Sequence, residues 1–360
     1  MPVFTAIDGD APFPHTGPGH PGPHRYDFHE RTVSRQLVHR SSVAEVLITG
    51  WQSTGPYDFL LGAQWPRVHG FYRLPGDRHH DPVLMAETLR QAALLVGHAG
   101  FGVPHDHHAV LDELGYTLGP AGLDGLAVRA APTELMLRVT CHDVRMRHGR
   151  LVALRVQAEI ERDGRPVGRG VGGLRILSPA AYDRLRGPGR PAAPPPRLPE
   201  QVVAPELVGR QQASDVVLGP ALMPDSWLLR ADAGHPALFD PMDPAPGHLP
   251  GMLVLEAARQ AAQRLHHPDR VVPVDVVTSF HDPIAPDRPC VVRAVREVGP
   301  DTGQDGGGGR RAPVRVVLVQ DGRTVAEVRL IGAPADGAPA DGGPSAAAPA
   351  PTRRGLPLAS

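Results

Sequence analysis

The chain has 360 residues and a formal net charge of −1, with 37 basic and 38 acidic side chains. The length suggests two domains or one large domain, and the balanced charge excludes a basic surface of the kind that binds nucleic acid. No apolar run approaches the roughly 18 residues of a membrane span, and the N-terminus lacks the pattern of a secretion signal. The two cysteines fit a cytoplasmic protein without a disulfide framework.

Segments rich in proline and glycine divide the chain. Residues 1–32 have little periodicity and predict a flexible leader. Residues 187–200 predict a semi-extended linker, and residues 333–360 predict a disordered tail. One domain is therefore expected at residues 33–186 and a second at residues 201–332.

In the first domain, residues 42–49 and 57–65 predict two strands. A helix is expected at residues 82–98, because Ala, Leu, Met and Val dominate this stretch. Three antiparallel strands follow, and a hairpin turn at residues 162–165 joins the last two. These strands are predicted at residues 134–140, 151–160 and 166–177.

The second domain repeats this order of elements. A helix is expected at residues 250–267, preceded by short strands and followed by longer ones. The predicted strands cover residues 213–218, 226–231, 271–280, 290–298 and 314–330. Each half is therefore predicted to be α+β, with one buried helix packed on an antiparallel sheet.

The two helices carry the same polar residues in the same order and at one constant spacing, which suggests a duplicated domain. These residues are Glu87, Arg90 and Gln91 in the first helix and Glu256, Arg259 and Gln260 in the second. Their spacing puts them on one face of an otherwise apolar helix. A buried charge is costly unless it is paired, so they form either a structural ion-pair network or a functional polar site.

Several motifs together resemble the A-factor synthase (AfsA-like) family, over about residues 37–331. They are Leu37-Val-His-Arg40, Ala63-Gln-Trp-Pro-Arg-Val-His69, Ala86-Glu-Thr-Leu-Arg-Gln91, His98 with Gly102-Val-Pro104, His235-Pro-Ala-Leu-Phe-Asp240 and Pro250-Gly-Met-Leu-Val-Leu-Glu-Ala-Ala-Arg-Gln260. The resemblance implies two tandem hotdog units, each a long buried helix wrapped by a curled antiparallel sheet. One alternative is another hotdog enzyme, a dehydratase or thioesterase, and a second is a non-catalytic acyl-binding protein.

The resemblance also implies an activity. Members of this family transfer a β-ketoacyl group from acyl carrier protein to the hydroxyl of dihydroxyacetone phosphate, which begins the synthesis of γ-butyrolactone signalling molecules. No metal or redox cofactor is implied. The expected partners are the acyl carrier protein and the two substrates, and the chain is expected to be a monomer with an internal pseudo-dimer or a homodimer.

This chemistry needs a base, oxyanion donors, a cationic phosphate site and an apolar slot. We expect Glu87 or Glu256 to be the base, with a pKa raised by burial. His69 and His235 stand where a hotdog dehydratase holds its catalytic histidine, although a loop-stabilising role fits them equally well.

The remaining candidates bind substrate. Arginine suits phosphate because its planar fork binds two oxygens, and the backbone N–H groups at a helix N-terminus suit an oxyanion. Gln91 and Gln260 either position substrate or brace a neighbouring loop. Arg40 and Arg210 occupy equivalent places in the two halves, although a surface position fits them as well. The phosphate candidates are Arg90, Arg259 and then Arg67, and the oxyanion candidates are the amides of Gly251 and Met252.

One segment departs from the family. Before the second helix the family usually reads Phe-Asp-His-Pro-x-Asp-His-Val-Pro-Gly-Met, whereas residues 239–252 are longer and carry Pro241 after Phe-Asp. Asp243 or His248 are the candidates to replace the missing histidine. This departure slightly favours Glu87 over Glu256 as the base.

Overall fold

The computed structural model describes residues 27–186, 201–231, 235–238, 247–297 and 312–334. The predicted leader, linker and tail lie wholly or largely outside these residues, and so does most of the altered segment, at residues 239–246. No helix within the described ranges is long and apolar enough to span a membrane.

Twelve strands in the described part of the chain form one antiparallel sheet, and three α-helices accompany it. The helices are α1 (Val83–Leu95), which continues as a π-helical turn at Val96–Gly100, α2 (Pro179–Arg186) and α3 (Gly251–His266). The strands of the first half are β1 (Ile48–Ser53), β2 (Asp58–Trp65), β3 (His108–Leu118), β4 (Thr133–Arg147), β5 (Arg150–Arg162) and β6 (Arg165–Leu177). Those of the second half are β7 (Leu218–Met223), β8 (Ser226–Leu229), β9 (Val271–Phe280), β10 (Cys290–Arg296), β11 (Val314–Gln320) and β12 (Arg323–Pro334).

The strand order reveals an internal two-fold relationship. From one edge the order is β1-β2-β4-β5-β6-β3, and from the other edge it is β7-β8-β10-β11-β12-β9. The two halves therefore have the same topology, and they join where β3 pairs antiparallel with β9. Gly115 lies opposite Val277 at the middle of this seam, so hydrogen bonds between strands make one sheet of the two halves.

Helix α1 packs closely on the sheet because β6 has glycines beneath it. A Cβ atom at Gly168 would lie 2.3 Å from Cε of Met85, and one at Gly170 would lie 2.1 Å from Cδ1 of Leu89. Twelve of the thirteen residues of α1 are buried, which explains why this helix is apolar on nearly every side. Helix α3 packs on β9 to β12.

Most predicted strands are present, but the single strand predicted at residues 314–330 is the hairpin of β11 and β12, and the strands predicted at residues 42–49 and 213–218 are wrong. Those segments form 3-10 turns at Val43–Glu45 and Ala213–Asp215, and the strands begin afterwards at Ile48 and Leu218. The amides of Leu47 and Val217 bind glutamine side chains of the helices instead of a neighbouring strand. Strand β3 was not predicted, because its buried positions do not alternate.

We expect Gly170→Val to destabilise the fold, because its side chain would collide with Leu89 in a filled core. Overpacking of this kind costs roughly 1–3 kcal/mol. The free energy of unfolding from urea titrations measures the effect. Arg169→Val is the matched control, since Arg169 is exposed on the same strand. Equal unfolding midpoints for the two variants would contradict the packing of α1 on β6.

Candidate active site

A buried cluster of charges surrounds Glu87 on α1. Its carboxylate accepts hydrogen bonds from Nε of Arg90 at 2.9 Å, Nε of Arg40 at 3.1 Å and the side-chain amide nitrogen Nε2 of Gln91 at 2.7 Å. The side chain of Glu87 is only 2% exposed. Two guanidinium groups therefore hold one carboxylate in the core.

The second half repeats this cluster around Glu256 on α3. Its carboxylate accepts hydrogen bonds from Nε of Arg210 and Nε of Arg259, both at 2.9 Å, and from the side-chain amide nitrogen Nε2 of Gln260. Glu256 is fully buried. The same ion-pair geometry therefore recurs in both halves, as the structural-network alternative predicts.

Arg40 and Arg210 are buried rather than on the surface, with 2% and 6% exposure. Each also reaches the opposite half of the chain. Arg40 donates to the backbone carbonyl of Ala237 at 3.2 Å, and Arg210 donates to that of Phe71 at 2.8 Å while its guanidinium lies over the Phe71 ring. The two clusters therefore connect the halves as well as filling their cores.

The expectation of a raised glutamate pKa is wrong. Burial alone would raise the pKa of Glu87, but the charges of Arg40 and Arg90 and their hydrogen bonds outweigh it and lower the pKa to about 2. Arg210 and Arg259 likewise lower the pKa of Glu256 to about 2 despite its burial. Both carboxylates are therefore ionised, and their oxygens are occupied by arginine and glutamine donors, so neither is free to take a proton from a substrate.

The two glutamines brace neighbouring loops. Gln91 accepts a hydrogen bond from the amide of Leu47 at 2.8 Å and donates to the carbonyl of Glu45 at 2.8 Å. Gln260 does the same with Val217 and Asp215. This geometry favours the loop-bracing alternative over substrate positioning.

His69 and His235 have equivalent roles in the two halves. Nδ1 of His69 accepts from the amides of Phe71 at 3.0 Å and Tyr72 at 3.1 Å, and its Nε2 lies 3.3 Å from Glu45. Nδ1 of His235 accepts from the amide of Ala237 at 3.1 Å. Because both rings hold a turn of the backbone, their geometry favours loop stabilisation over acid–base chemistry.

A cavity of about 140 Å³ lies between the two halves. Arg90 and His39 line it from the first half, and Gly251 and Met252 at the start of α3 line it from the second. The rest of its wall is largely apolar and includes Leu94, Leu111, Leu174, Leu238, Leu249 and Phe280. This cavity brings together an arginine, a helix N-terminus and an apolar slot, three of the parts that the predicted chemistry needs.

The N-terminus of α3 lies close to the cavity wall because Gly251 has no side chain. A Cβ atom there would lie 2.5 Å from Cδ1 of Leu111 and 3.1 Å from Cζ of Phe280. The amides of Gly251 and Met252 belong to the first turn of the helix, where no carbonyl of the helix can accept from them. The positive end of the helix dipole favours negative charge at this point.

The equivalent place, between Arg259 and the N-terminus of α1, is occupied by a side chain of the protein itself. Asp81 is fully buried at the start of α1, where its Oδ1 accepts from the amide of Val83 at 3.0 Å. Its Oδ2 lies 3.7 Å from the guanidinium of Arg259. At α3 the corresponding residue is Pro250, which carries no charge. A carboxylate thus neutralises Arg259 and the α1 N-terminus. Among the described residues, Arg90 has no ion pair with a second carboxylate, and Asp282, which also lines the cavity, pairs with Arg323.

Arg67 is exposed and does not line the cavity. His248 does line it, and its Nδ1 lies 2.5 Å from the hydroxyl of Tyr182. His39 and Asp81 were missed as site residues. His39 stands within the Leu37-Val-His-Arg40 motif, which was the available signal.

Among the described residues, no group of three or more His, Cys, Asp or Glu side chains is arranged to hold a metal ion.

The lowered pKa values of Glu87 and Glu256 predict acid sensitivity. Each group has an ordinary pKa of 4.5 and a folded pKa of about 2, so its contribution to stability is present above pH 4.5 and is lost as the pH falls towards 2. We expect the free energy of unfolding, measured in denaturant titrations, to fall steadily over that window.

Glu256→Gln should remove part of this pH dependence and cost roughly 3–5 kcal/mol at pH 7, because it leaves the buried Arg210 without a carboxylate and Arg259 with only the more distant Asp81. Glu161→Gln is the control, since Glu161 pairs with the exposed Arg138 and such surface pairs contribute about 0–1 kcal/mol. Equal losses in the two variants would contradict this account of the clusters.

Comparison with known proteins gives a consistent family assignment. A profile described as an A-factor biosynthesis hotdog domain matches residues 24–178 and 192–334. A 2-oxo-3-(phosphooxy)propyl 3-oxoalkanoate synthase from Streptomyces virginiae is 39% identical over 295 residues, which are 82% of this chain and 95% of the relative. A synthase of the same name from Streptomyces coelicolor is 39% identical over 303 residues, or 83% and 91% of the two chains.

Solved structures with similar folds have much lower sequence identity. The 12:0-ACP thioesterase from Umbellularia californica is 10% identical with a TM-score of 0.45, over 79% of this chain and 99% of that chain. The dehydratase domain from the CurJ module of curacin polyketide synthase is 11% identical with a TM-score of 0.42, over 81% and 96% of the two chains.

The family profile confirms the expected α+β fold of two hotdog units, because it matches once in each half. The expected resemblance is confirmed too, since the profile and the curated relatives cover most of the chain. The chain therefore belongs to the A-factor biosynthesis hotdog family.

Proposed function

We propose that this protein transfers a β-ketoacyl group from acyl carrier protein to the hydroxyl of dihydroxyacetone phosphate. This would be the first step in the synthesis of an A-factor-like γ-butyrolactone. The names of the Streptomyces relatives support the proposal, since 2-oxo-3-(phosphooxy)propyl 3-oxoalkanoate is the ester that such a transfer yields. The enzyme would act in the cytoplasm, where acyl carrier protein supplies the thioester.

The cavity between the halves is the observation that carries the proposal. Its apolar wall suits the acyl chain, and Arg90 at its edge suits a phosphate group. The amides of Gly251 and Met252 suit the oxyanion that forms when an alcohol attacks a thioester. These groups line one cavity, as acyl transfer to a phosphorylated alcohol requires.

Glu87 contributes by holding Arg90. Two nitrogens of the Arg90 guanidinium bind Glu87, at 2.9 Å from Nε and 2.8 Å from a terminal nitrogen. Because these bonds fix the plane of the guanidinium, the side chain loses little further freedom when phosphate binds. Glu87 is therefore proposed to position Arg90 and not to remove a proton.

The cavity beside Arg90 is the one proposed to be competent. Asp81 occupies the corresponding place near Arg259, where it would repel the phosphate of the acceptor and block the amides of α1. Since both halves line the working cavity, a single chain with its internal pseudo-dimer would suffice for catalysis. Residues 248–252, the end of the altered segment, line the working cavity, so that segment would affect the working site and not only the second one.

Mass spectrometry tests the reaction. We expect purified protein mixed with a β-ketoacyl carrier protein to form a phosphorylated keto ester only when dihydroxyacetone phosphate is present. A variant of the carrier protein that lacks the attached acyl group is the control. Free acid would assign the protein to the thioesterases, an unsaturated chain would assign it to the dehydratases, and an unchanged thioester would favour acyl binding without catalysis.

Matched arginine variants test the choice of cavity. We expect Arg90→Gln to raise the KM for dihydroxyacetone phosphate about 10-fold or more, because it removes a charge-assisted hydrogen bond worth roughly 1.5–3 kcal/mol. Arg259→Gln should lower stability but leave this KM unchanged.

The Michaelis constant is suitable because it does not depend on the fraction of enzyme that is folded. An increase in KM with Arg259→Gln, but none with Arg90→Gln, would move the acceptor to the other half and contradict the proposed site.

A further inference from the structure

Two histidines meet at the edge of the cavity, outside the glutamate clusters. Nε2 of His39 lies 2.8 Å from Nε2 of His98, and Nδ1 of His98 lies 2.8 Å from the carbonyl oxygen of Val103. His105 stacks on His98, with ring centroids 4.9 Å apart. His98 is buried, whereas His39 is partly exposed and lines the cavity beside Arg90.

These contacts fix the tautomer of both rings. A carbonyl oxygen only accepts hydrogen bonds, so Nδ1 of His98 must carry a proton. In a neutral ring Nε2 of His98 then has the lone pair, and Nε2–H of His39 must donate to it. The unprotonated nitrogen of His39 is therefore Nδ1, which makes no hydrogen bond with the described residues.

The backbone at His39 is held in an unusual conformation. His39 has φ of 51° and ψ of 57°, in the left-handed region, at the end of the 3-10 turn Arg35–Val38. Non-glycine residues rarely adopt this conformation, and they concentrate at functional sites when they do. The corresponding residue of the second half is Gly209, with φ of 70°. Of these two equivalent turns, only the one beside the cavity carries an imidazole.

We infer that His39 is the general base of the acyl transfer, with His98 holding its tautomer. This inference rests on the proposed function. Nδ1 of His39 takes the proton of the acceptor hydroxyl as the hydroxyl oxygen attacks the thioester carbonyl carbon. The tetrahedral intermediate then collapses, the C–S bond breaks, and the imidazolium returns the proton to the departing thiolate. The products are an ester and the free thiol of the carrier.

The surroundings of His39 keep it neutral before substrate binds. Burial is the largest cause that lowers the pKa of His39 to about 3, and the neighbouring imidazoles and Arg90 disfavour a further positive charge there. A phosphate bound to Arg90 would cancel part of the positive field and raise the basicity of His39. The basicity of His39 would therefore rise once the acceptor is bound, which suits a proton transfer that must follow binding.

Two substitutions at His39 test the role. His39→Gly places the residue of the second half at this position, and His39→Asn keeps a residue type that tolerates the left-handed conformation. We expect both to lower kcat about 10²- to 10⁴-fold, the usual contribution of general base catalysis. The KM for dihydroxyacetone phosphate should change little. Added imidazole should restore part of the kcat of His39→Gly, because a small base can enter the vacated space.

The control is His142→Asn, since His142 is exposed on β4 and its loss should leave kcat unchanged. Unchanged kcat in folded His39 variants would overturn the inference while leaving the transfer reaction intact. A lowered kcat in His39→Gly that imidazole does not restore, although both substrates still bind, would also overturn it. Absence of transfer by the wild-type protein would overturn the proposed function together with this inference.

Discussion

Each half of the molecule depends on one buried carboxylate shared by two guanidinium groups. Glu87 and Glu256 are almost inaccessible to solvent, and burying such charges is unfavourable unless every partner is present. Arg40 and Arg210 supply part of that pairing and also bind backbone carbonyls of the opposite half. The core of one hotdog unit is therefore completed only when the other unit is in place, and the cavity between them follows from that packing.

Duplication gives the protein two equivalent places for a site, but the two have diverged. One has Arg90, His39 and an α3 N-terminus preceded by the uncharged Pro250, and it keeps a cavity of about 140 Å³. The other has a glycine in place of the histidine, and Asp81 bound between Arg259 and the α1 N-terminus. An internal carboxylate at this point occupies the position that an anionic substrate would take. The second half thus retains the structural cluster, and we propose that the competent site is the one beside Arg90.

The sequence predicted the fold and the clusters better than the chemistry. Glutamate, arginine and glutamine on an apolar helix must be buried together, so their repetition in the two halves was enough to indicate paired networks. The partners Arg40 and Arg210 come from distant turns, and only the tertiary packing brings them to the helices. The direction of the glutamate pKa depended on those partners, which is why burial alone predicted the wrong sign. His39 was not identified as a site residue because its role depends on contacts with His98 and the cavity.

Crystals of the protein soaked with dihydroxyacetone phosphate would test whether the acceptor binds beside Arg90 and His39. We expect one bound molecule per chain, in the cavity between the halves. Its phosphate should lie within hydrogen-bond distance of Arg90 and its hydroxyl near Nδ1 of His39. A molecule bound beside Arg259 with Asp81 displaced, or no molecule in the cavity at concentrations that saturate the reaction, would contradict it.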